Sequence, residues 1–291
     1  MTHLLVPATS ANLGPGFDSI GVAVSLYLRI DILEASDHWW IDHDLGEDIP
    51  HGEDNLIIQT IQKLAPETPA HKLRMTSDIP SARGLGSSSS AIIAGIELAD
   101  RLSHKGWSEE EKINMANAIE GHPDNVAPAL AGGLVIGVAL EADRVLWTKH
   151  TFPHIAFVVT IPNKQLLTSQ ARAVLPESLD FAQAVRANGI GNVLASKLAV
   201  GELEEAGHLM EMDLLHETYR SPLVPELKQV RQDLLGQPGV YGTYLSGAGP
   251  TIMTLAHKEN AEALAALLRR DIEDAQVRVL DLDEEGARWV E

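Results

Sequence analysis

The chain has 291 residues, 45% hydrophobic but only 4% aromatic, enough for two domains of about 150 residues with aliphatic cores. Its 41 acidic and 22 basic side chains leave a formal charge of −19, which argues against a nucleic-acid surface and for a small-molecule site or a protein partner. No apolar run approaches the ~18 residues a membrane helix needs, no leader pattern opens the chain, and the absence of cysteine excludes disulfides, thiol catalysis and a Cys-type zinc site, so a soluble cytoplasmic protein is expected.

In chain order, 3–6 is short and apolar and 21–33 alternates with β-branched residues, so both are predicted strands. The Gly, Pro, Asn and Ser cluster over 7–21 between them predicts a structured loop. Asp54 is the expected cap of a helix over 55–65, with Ile57, Ile61 and Leu64 at helical spacing and Pro66 just beyond. A second helix is predicted over 87–102, and Ser108 with Glu111 forms a capping box for a third that ends near Ile119. The segment 120–129 is expected as a polar turn, followed by strands over 132–140 and 155–161 and a largely helical stretch to Leu235. The end of the chain predicts a strand at 241–245, a turn at 246–251, a strand to Leu255, a helix over 259–269 and a strand over 277–282, the order of a small α+β sandwich.

The most informative segment is Pro80-Ser-Ala-Arg-Gly-Leu-Gly-Ser-Ser-Ser-Ser90, which runs into the second predicted helix. N–H groups freed at a helix start, where the dipole amounts to roughly half a positive charge, favour phosphate. Gly84 and Gly86 let the backbone approach a ligand, and serine hydroxyls can donate to phosphate or ligate a divalent ion. The segment lacks the Gly-Lys-Ser/Thr ending of a Walker A loop, and Ser89 stands where a dinucleotide fingerprint has its third glycine. A plain Ser-rich helix cap is the alternative, although it needs one serine and no glycine pair. An acidic chain that binds a nucleotide must supply its own positive field from helix starts, a metal ion and a few arginines.

Loops at 7–21, 80–90, 120–128 and 246–251 together resemble those of the GHMP kinases. The central motif of that family, Pro-x-x-x-Gly-Leu-Gly-Ser-Ser, stands at 80–88, and its C-terminal glycine motif at 246–251. Within the family the resemblance is to the homoserine kinase branch: Pro7-Ala-Thr-Ser-Ala-Asn-Leu-Gly-Pro-Gly-Phe-Asp18 is present without a change, as is His122-Pro-Asp-Asn-Val-Ala-Pro-Ala129. The chain departs at Ser89 and Ser90, where the family more often has alanine. The resemblance spans about 3–256 and implies an α+β fold of two domains, a mixed βα ATP-binding half (1–150) and a ferredoxin-like half (151–291).

It also implies phosphoryl transfer from ATP to the side-chain hydroxyl of L-homoserine, with ATP and Mg²⁺ required. Pro80, Arg83, Gly84, Leu85, Gly86, Ser87, Ser88, Ser89 and Ser90 would then cradle the phosphates, and Ser87 or Ser88 with Glu120 would share Mg²⁺. Taken alone, Glu120 is a solvated carboxylate at a helix end, but its charge opposes the dipole there and favours a metal partner. Arg172 and Arg220 would grip the substrate carboxylate, the natural partner of a planar guanidinium fork, although either alone reads as a surface residue. Asp18 and Asp124 would meet the ammonium and order the hydroxyl, with Asn12, His122 and Asn125 as uncharged partners. Asn125 stands where mevalonate kinase-like members carry an aspartate taken as base, so no carboxylate base is expected; Asp124 and Asn125 hold the hydroxyl in line. His122 and Asp124 find no further histidine cluster to complete a zinc site. For the adenine, the family implies a pocket near Asn55 and Leu56. Members are often dimers, so a homodimer is an expected partner. Another GHMP kinase with a different acceptor, or a catalytically dead sensor, are the competing readings; the paired arginines disfavour the first and the intact Glu120 and serines the second.

Overall fold

A computed structural model describes residues 2–141, 144–152 and 154–291. The first half runs β1 (His3–Ala11), β2 (Ile20–Ala35), β3 (Trp40–Asp42), α1 (Leu56–Leu64), β4 (His71–Ser77), α2 (Ser87–Ser103), α3 (Glu109–Glu120), α4 (Pro123–Ala131), β5 (Leu134–Glu141) and β6 (Arg144–His150). The second runs β7 (Ile155–Pro162), α5 (Thr168–Ala173), α6 (Phe181–Val200), α7 (Leu203–Met210), α8 (Glu217–Arg220), α9 (Glu226–Leu234), β8 (Val240–Leu245), β9 (Ile252–His257), α10 (Ala261–Asp271), β10 (Ala275–Leu280) and β11 (Arg288–Val290).

Two sheets result. One is mixed, in the order β11-β1-β2-β4-β3, with β5 on another part of the 16-residue β2 and β6 beside β5. The other is antiparallel in the order β10-β7-β9-β8. Numbered within that sheet the order is 4-1-3-2, with helices α5–α9 and α10 as connections, which is the ferredoxin-like arrangement expected. Every residue of β7 is buried, as befits a strand flanked by β9 and β10 and covered by helices. In the first half α2 lies on β1 and α1 and buries Ile92, Ile93, Ile96 and Leu98, each contributing about 1.5–3 kcal/mol. No helix among the described residues is long and apolar enough to cross a membrane.

The structure corrects three local expectations. The residues Pro7, Ala8, Thr9, Ser10 and Ala11 continue β1 instead of opening a loop; a register shift between Pro7 and Ala8 absorbs the proline, and all five are buried. The cap of α1 is Asn55, whose Oδ1 accepts from Ile57 N, and not Asp54. The segment after Glu120 is a helix, α4, with Pro123 at its start. Pro128 inside it cannot donate to the Asp124 carbonyl, and that oxygen lies against Gly21 of β2, where a Cβ would fall 1.6 Å away.

The last residues return to the first sheet. Asp283 N donates to Ala23 O, Ala287 N to Leu130 O, and β11 pairs with β1. Buried Asp283 accepts from Gly286 N (2.7 Å) and Arg288 Nη1 (2.9 Å) within the tail and from Tyr27 Oη of β2 (2.7 Å), which ties the tail to the first sheet. The two halves also meet at the turn 246–251: Gly247 N donates to Ala11 O at 3.1 Å, and the hydroxyls of Ser246 and Thr251 donate to the carbonyls of Gly84 and Arg83. That seam sets the geometry of the site.

Candidate active site

The glycine-rich loop that enters α2 bends through three positive φ angles, +49° at Ala82, +44° at Gly84 and +67° at Gly86. A Cβ at Gly84 would lie 2.3 Å from Ser246 O and one at Gly86 2.0 Å from Thr9 Oγ1, so both positions require glycine for conformation and for space. Gly86 is the N-cap of α2 and no side chain caps it, so the N–H groups of the first turn remain available to an anion. Arg83, Gly84, Gly86, Ser87, Ser88 and Ser89 line a cavity of about 280 Å³. Buried Arg83 Nε has no hydrogen-bond partner among the described residues, while Nη2 donates to Asn163 O at 3.0 Å.

Three residues expected on this loop do not face the cavity. Leu85 is 1% exposed and belongs to the core, with its carbonyl accepting from Thr9 N. The Ser90 hydroxyl is buried against the carbonyls of Pro7 (2.9 Å) and Gly86 (3.0 Å), the back-bond of a helical serine. Pro80 is absent from the lining of this cavity and of its apolar neighbour.

Across the cavity from the loop, Glu120 ends α3. Burial pushes its carboxyl above the ordinary carboxylate range and the nearby charge of Asp124 adds to this, against the opposing influence of His122, Ser89 and Arg172. Its hydrogen-bond partner is Ser89, at 3.3 Å, rather than Ser87 or Ser88. A half-buried carboxylate held by one long hydrogen bond, at the negative end of a helix dipole, is a place that favours a cation.

The start of α4 supplies the next groups. His122 is its N-cap; Nδ1 lies 2.5 Å from Asp124 Oδ1. Burial alone would lower the imidazole, but the hydrogen bond and charge of Asp124, with the charges of Asp18 and Glu120, outweigh it and hold His122 above the usual histidine range. Asp124 is 2% exposed; Oδ1 also receives Asn125 Nδ2 at 3.4 Å, and Oδ2 makes no hydrogen bond among the described residues. Thr9 Oγ1 donates to Asn125 Oδ1 at 2.9 Å, which fixes the amide so that its NH₂ faces away from β1.

Arg172 and Asp18 form a two-pronged pair at 3.0 and 3.4 Å, partly open to solvent. Arg220 is 2% exposed, with Nε donating to Ala171 O (3.1 Å) and Nη1 to Gly247 O (3.0 Å); Nη2 alone has no hydrogen bond among the described residues. Burial, and then the charge of Arg172, pull its pKa down to about 10. Phe17 lies under both guanidinium groups, 5.7 Å from Arg172 and 5.2 Å from Arg220. The Asn12 carboxamide accepts from Asp18 N (3.1 Å) and donates to Gly247 O (3.2 Å), so most of it is engaged within the protein.

The structure thus brings Asn12, Asp18, Glu120, His122, Asp124, Asn125, Arg172 and Arg220 to the cavity that the phosphate loop lines. Three carboxylates (Asp18, Glu120, Asp124) face three guanidinium groups (Arg83, Arg172, Arg220), a balance unlike the −19 of the chain as a whole. Donor atoms of Asp18, His122 and Asp124 lie within 4.8 Å of one another, so a third group does join the pair that the sequence placed together. Asp18 is already held by Arg172, and Asp124 holds His122 toward its charged form, so His122 is not the uncharged partner expected from the sequence. Sequence reasoning missed Phe17, Thr9 and the wall 166–168; Phe17 and Thr9 lay inside the quoted motif but carry no titratable group to draw attention.

A second cavity of about 290 Å³ lies on the other side of Ser87 and Ser88, and is walled by apolar Leu28, Leu45, Ile49, Met75, Ile79 and Ala91. Asn55 and Leu56 reach it, but both ends of the Asn55 amide are engaged, with Pro50 O and Ile57 N.

Residues 55–133 match the model of the GHMP kinases N terminal domain and 194–273 that of the GHMP kinases C terminal region. The homoserine kinase of Enterococcus faecalis is 50% identical over 283 residues, covering 97% of this chain and 98% of that one, and the homoserine kinase of Listeria innocua is 50% identical over 285 residues, covering 98% of each. The chain belongs to the homoserine kinase family. A solved structure from Listeria monocytogenes superposes with a TM-score of 0.89 at 43% identity, over 100% of this chain and 99% of that one. A crystal structure of mevalonate kinase, at 17% identity and a TM-score of 0.71 over 97% of this chain and 99% of that one, shares the fold. Membership in this family makes the protein an ATP-dependent kinase of the GHMP fold.

Proposed function

We propose that this protein transfers the γ-phosphate of ATP to the side-chain hydroxyl of L-homoserine, giving O-phospho-L-homoserine and ADP, a step of threonine biosynthesis. The observation that carries the reading is one cavity in which an uncapped helix start and Glu120 face two arginines and two aspartates. Phosphoryl transfer asks for positioning and charge neutralisation more than covalent chemistry, and this arrangement supplies both.

The first turn of α2 and the 83–89 backbone receive the phosphates, and the apolar cavity beyond Ser87 and Ser88 takes the purine. Glu120 with Ser87 or Ser88 would hold Mg²⁺, a fit supported by a half-buried carboxylate at a helix C-terminus and by oxygen-only donors. That ion supplies charge neutralisation at the phosphate oxygens. Ser89 orients the Glu120 carboxylate through its hydrogen bond. Arg172 and Nη2 of Arg220 take the acceptor carboxylate, Asp18 the ammonium, and Oδ2 of Asp124 with the Asn125 amide the hydroxyl. Asn125 accepts no proton, so the hydroxyl proton passes to the transferring phosphate or to water. Residues 1–150 form the nucleotide-binding half and 151–291 the C-terminal half, the latter lending β11 back to the first sheet. The proposal extends to a cytoplasmic location and a homodimer, as the family resemblance implies.

A coupled assay of ADP release with homoserine, threonine, serine and mevalonate as acceptors tests the reading. Homoserine is the expected acceptor; turnover with mevalonate and none with homoserine overturns it.

A further inference from the structure

His216 precedes α8, is wholly buried, and lies behind the acceptor-binding groups rather than among them. Its Nε2 is 3.0 Å from the Gly14 carbonyl and its Nδ1 3.3 Å from Arg220 Nη1. A carbonyl only accepts and a guanidinium only donates, so the two contacts admit a single form of the ring: neutral, with the proton on Nε2 and the lone pair on Nδ1. Burial also lowers the imidazole below its usual range, more than the charge of Asp213 restores, which is consistent with that neutral form. The ring is held from two further sides. Asp213 accepts from the N–H groups of His216 (2.8 Å) and Glu217 (2.5 Å), fixing the backbone, and Phe17 stacks on the imidazole at 5.2 Å with 20° between planes.

We propose that His216 is a positioning residue for the acceptor: it accepts Nη1 of Arg220 from behind, turns Nη2 toward the cleft, and ties that arginine to the loop that carries Phe17 and Asp18. The inference rests on the proposed role of Arg220 as a partner of the substrate carboxylate. Two recognition elements from opposite halves of the chain thereby share one support. Gly14, the other end of the tie, has φ +77° and a backbone so close to Met210 that a Cβ would fall 2.1 Å from its carbonyl oxygen, so the loop has little freedom to follow a displaced ring.

Steady-state kinetics with both substrates, on the wild type and on His216→Leu, His216→Asn and His216→Gln, test this. The Asn oxygen reaches the Nδ1 position and restores the acceptor for Arg220, whereas the Gln amide reaches Nε2 and restores only the bond to Gly14. His216→Leu is expected to raise the KM for homoserine about 10- to 100-fold, the range for losing a hydrogen bond to a charged group, with kcat and the KM for ATP within about threefold of wild type. His216→Asn is expected to recover most of that loss and His216→Gln less. If the Leu variant does not fold, the order of Asn and Gln carries the test, and a KM for Asn no better than for Gln overturns the proposal. Equal losses for ATP and homoserine, or no loss, also overturn it. A wild type that phosphorylates no homoserine overturns the proposed function and this inference together, whereas an active wild type with the wrong pattern of variants overturns the inference alone.

Discussion

The proposed phosphate loop is one short run of chain, 83–89, that would bind through its main chain, whereas the proposed acceptor pocket collects side chains from 12–18, 122–125, Arg172 and Arg220. A main-chain site needs only permissive residues, here Gly84 and Gly86, and a helix left uncapped. A side-chain site needs each group buttressed, and the acceptor pocket shows this in its hydrogen bonds: Asn12 to Gly247, Thr9 to Asn125, His216 to Arg220. Both kinds depend on residues outside them, the first on Ser246 and Thr251, which donate to its carbonyls, and the second on side chains that hold its charged groups from behind.

The sharpest way to break that contrast is at the point where both halves of the reaction meet. Glu120→Gln keeps shape and hydrogen bonding but removes the charge, and turnover is expected to fall on the order of a thousandfold, the several kcal/mol that a metal ion contributes to charge stabilisation. Retained Mg²⁺-dependent kcat in that variant would show that Glu120 is not the metal partner. Next in size is a crossover between the two cavities. Arg172→Ala should raise the KM for homoserine about 10- to 100-fold and leave that for ATP unchanged, while Ala91→Leu, which fills the apolar cavity, should weaken ATP about tenfold and spare homoserine. Isothermal titration with a non-hydrolysable ATP analogue measures the second arm; if both variants weaken both ligands, the cavities do not divide the work. The smallest effect is expected from Thr9→Val, which removes the donor to Asn125 Oδ1 and should lower kcat by about three- to tenfold, with little change in either KM, as the loss of one neutral hydrogen bond. An unchanged kcat would mean that the amide holds its orientation without help.

The same contrast explains what could be read before the fold was known. The glycine turn into α2 was legible because its requirement is local: two glycines, a serine run and a helical pattern. The capping box of α3 was legible for the same reason. The helix α4 was not, because Pro123, Asn125 and Pro128 read as breakers, and only the fold shows α4 packed with its Asp124 carbonyl against Gly21 of β2. β4 was passed over although buried Leu73 and Met75 alternate with exposed Arg74 and Thr76 at period two, a weak signal over a short strand. For the strand β1, the Gly-Pro-Ser composition of the motif masked five buried residues.

By itself the sequence determined the residue types: which short motifs are present, that the chain is acidic and without thiols, and that a glycine- and serine-rich turn precedes a helix. Periodicity and turn chemistry depend on neighbours a few positions away, and those are written in order. Only the tertiary structure decided that Ser89 rather than Ser87 or Ser88 bonds Glu120, that Leu85, Ser90 and Pro80 turn from the cavity, and that Phe17 and His216 buttress Arg220. Those contacts join residues distant in the chain, and they exist because two sheets close on one seam and bury polar groups that must then find partners.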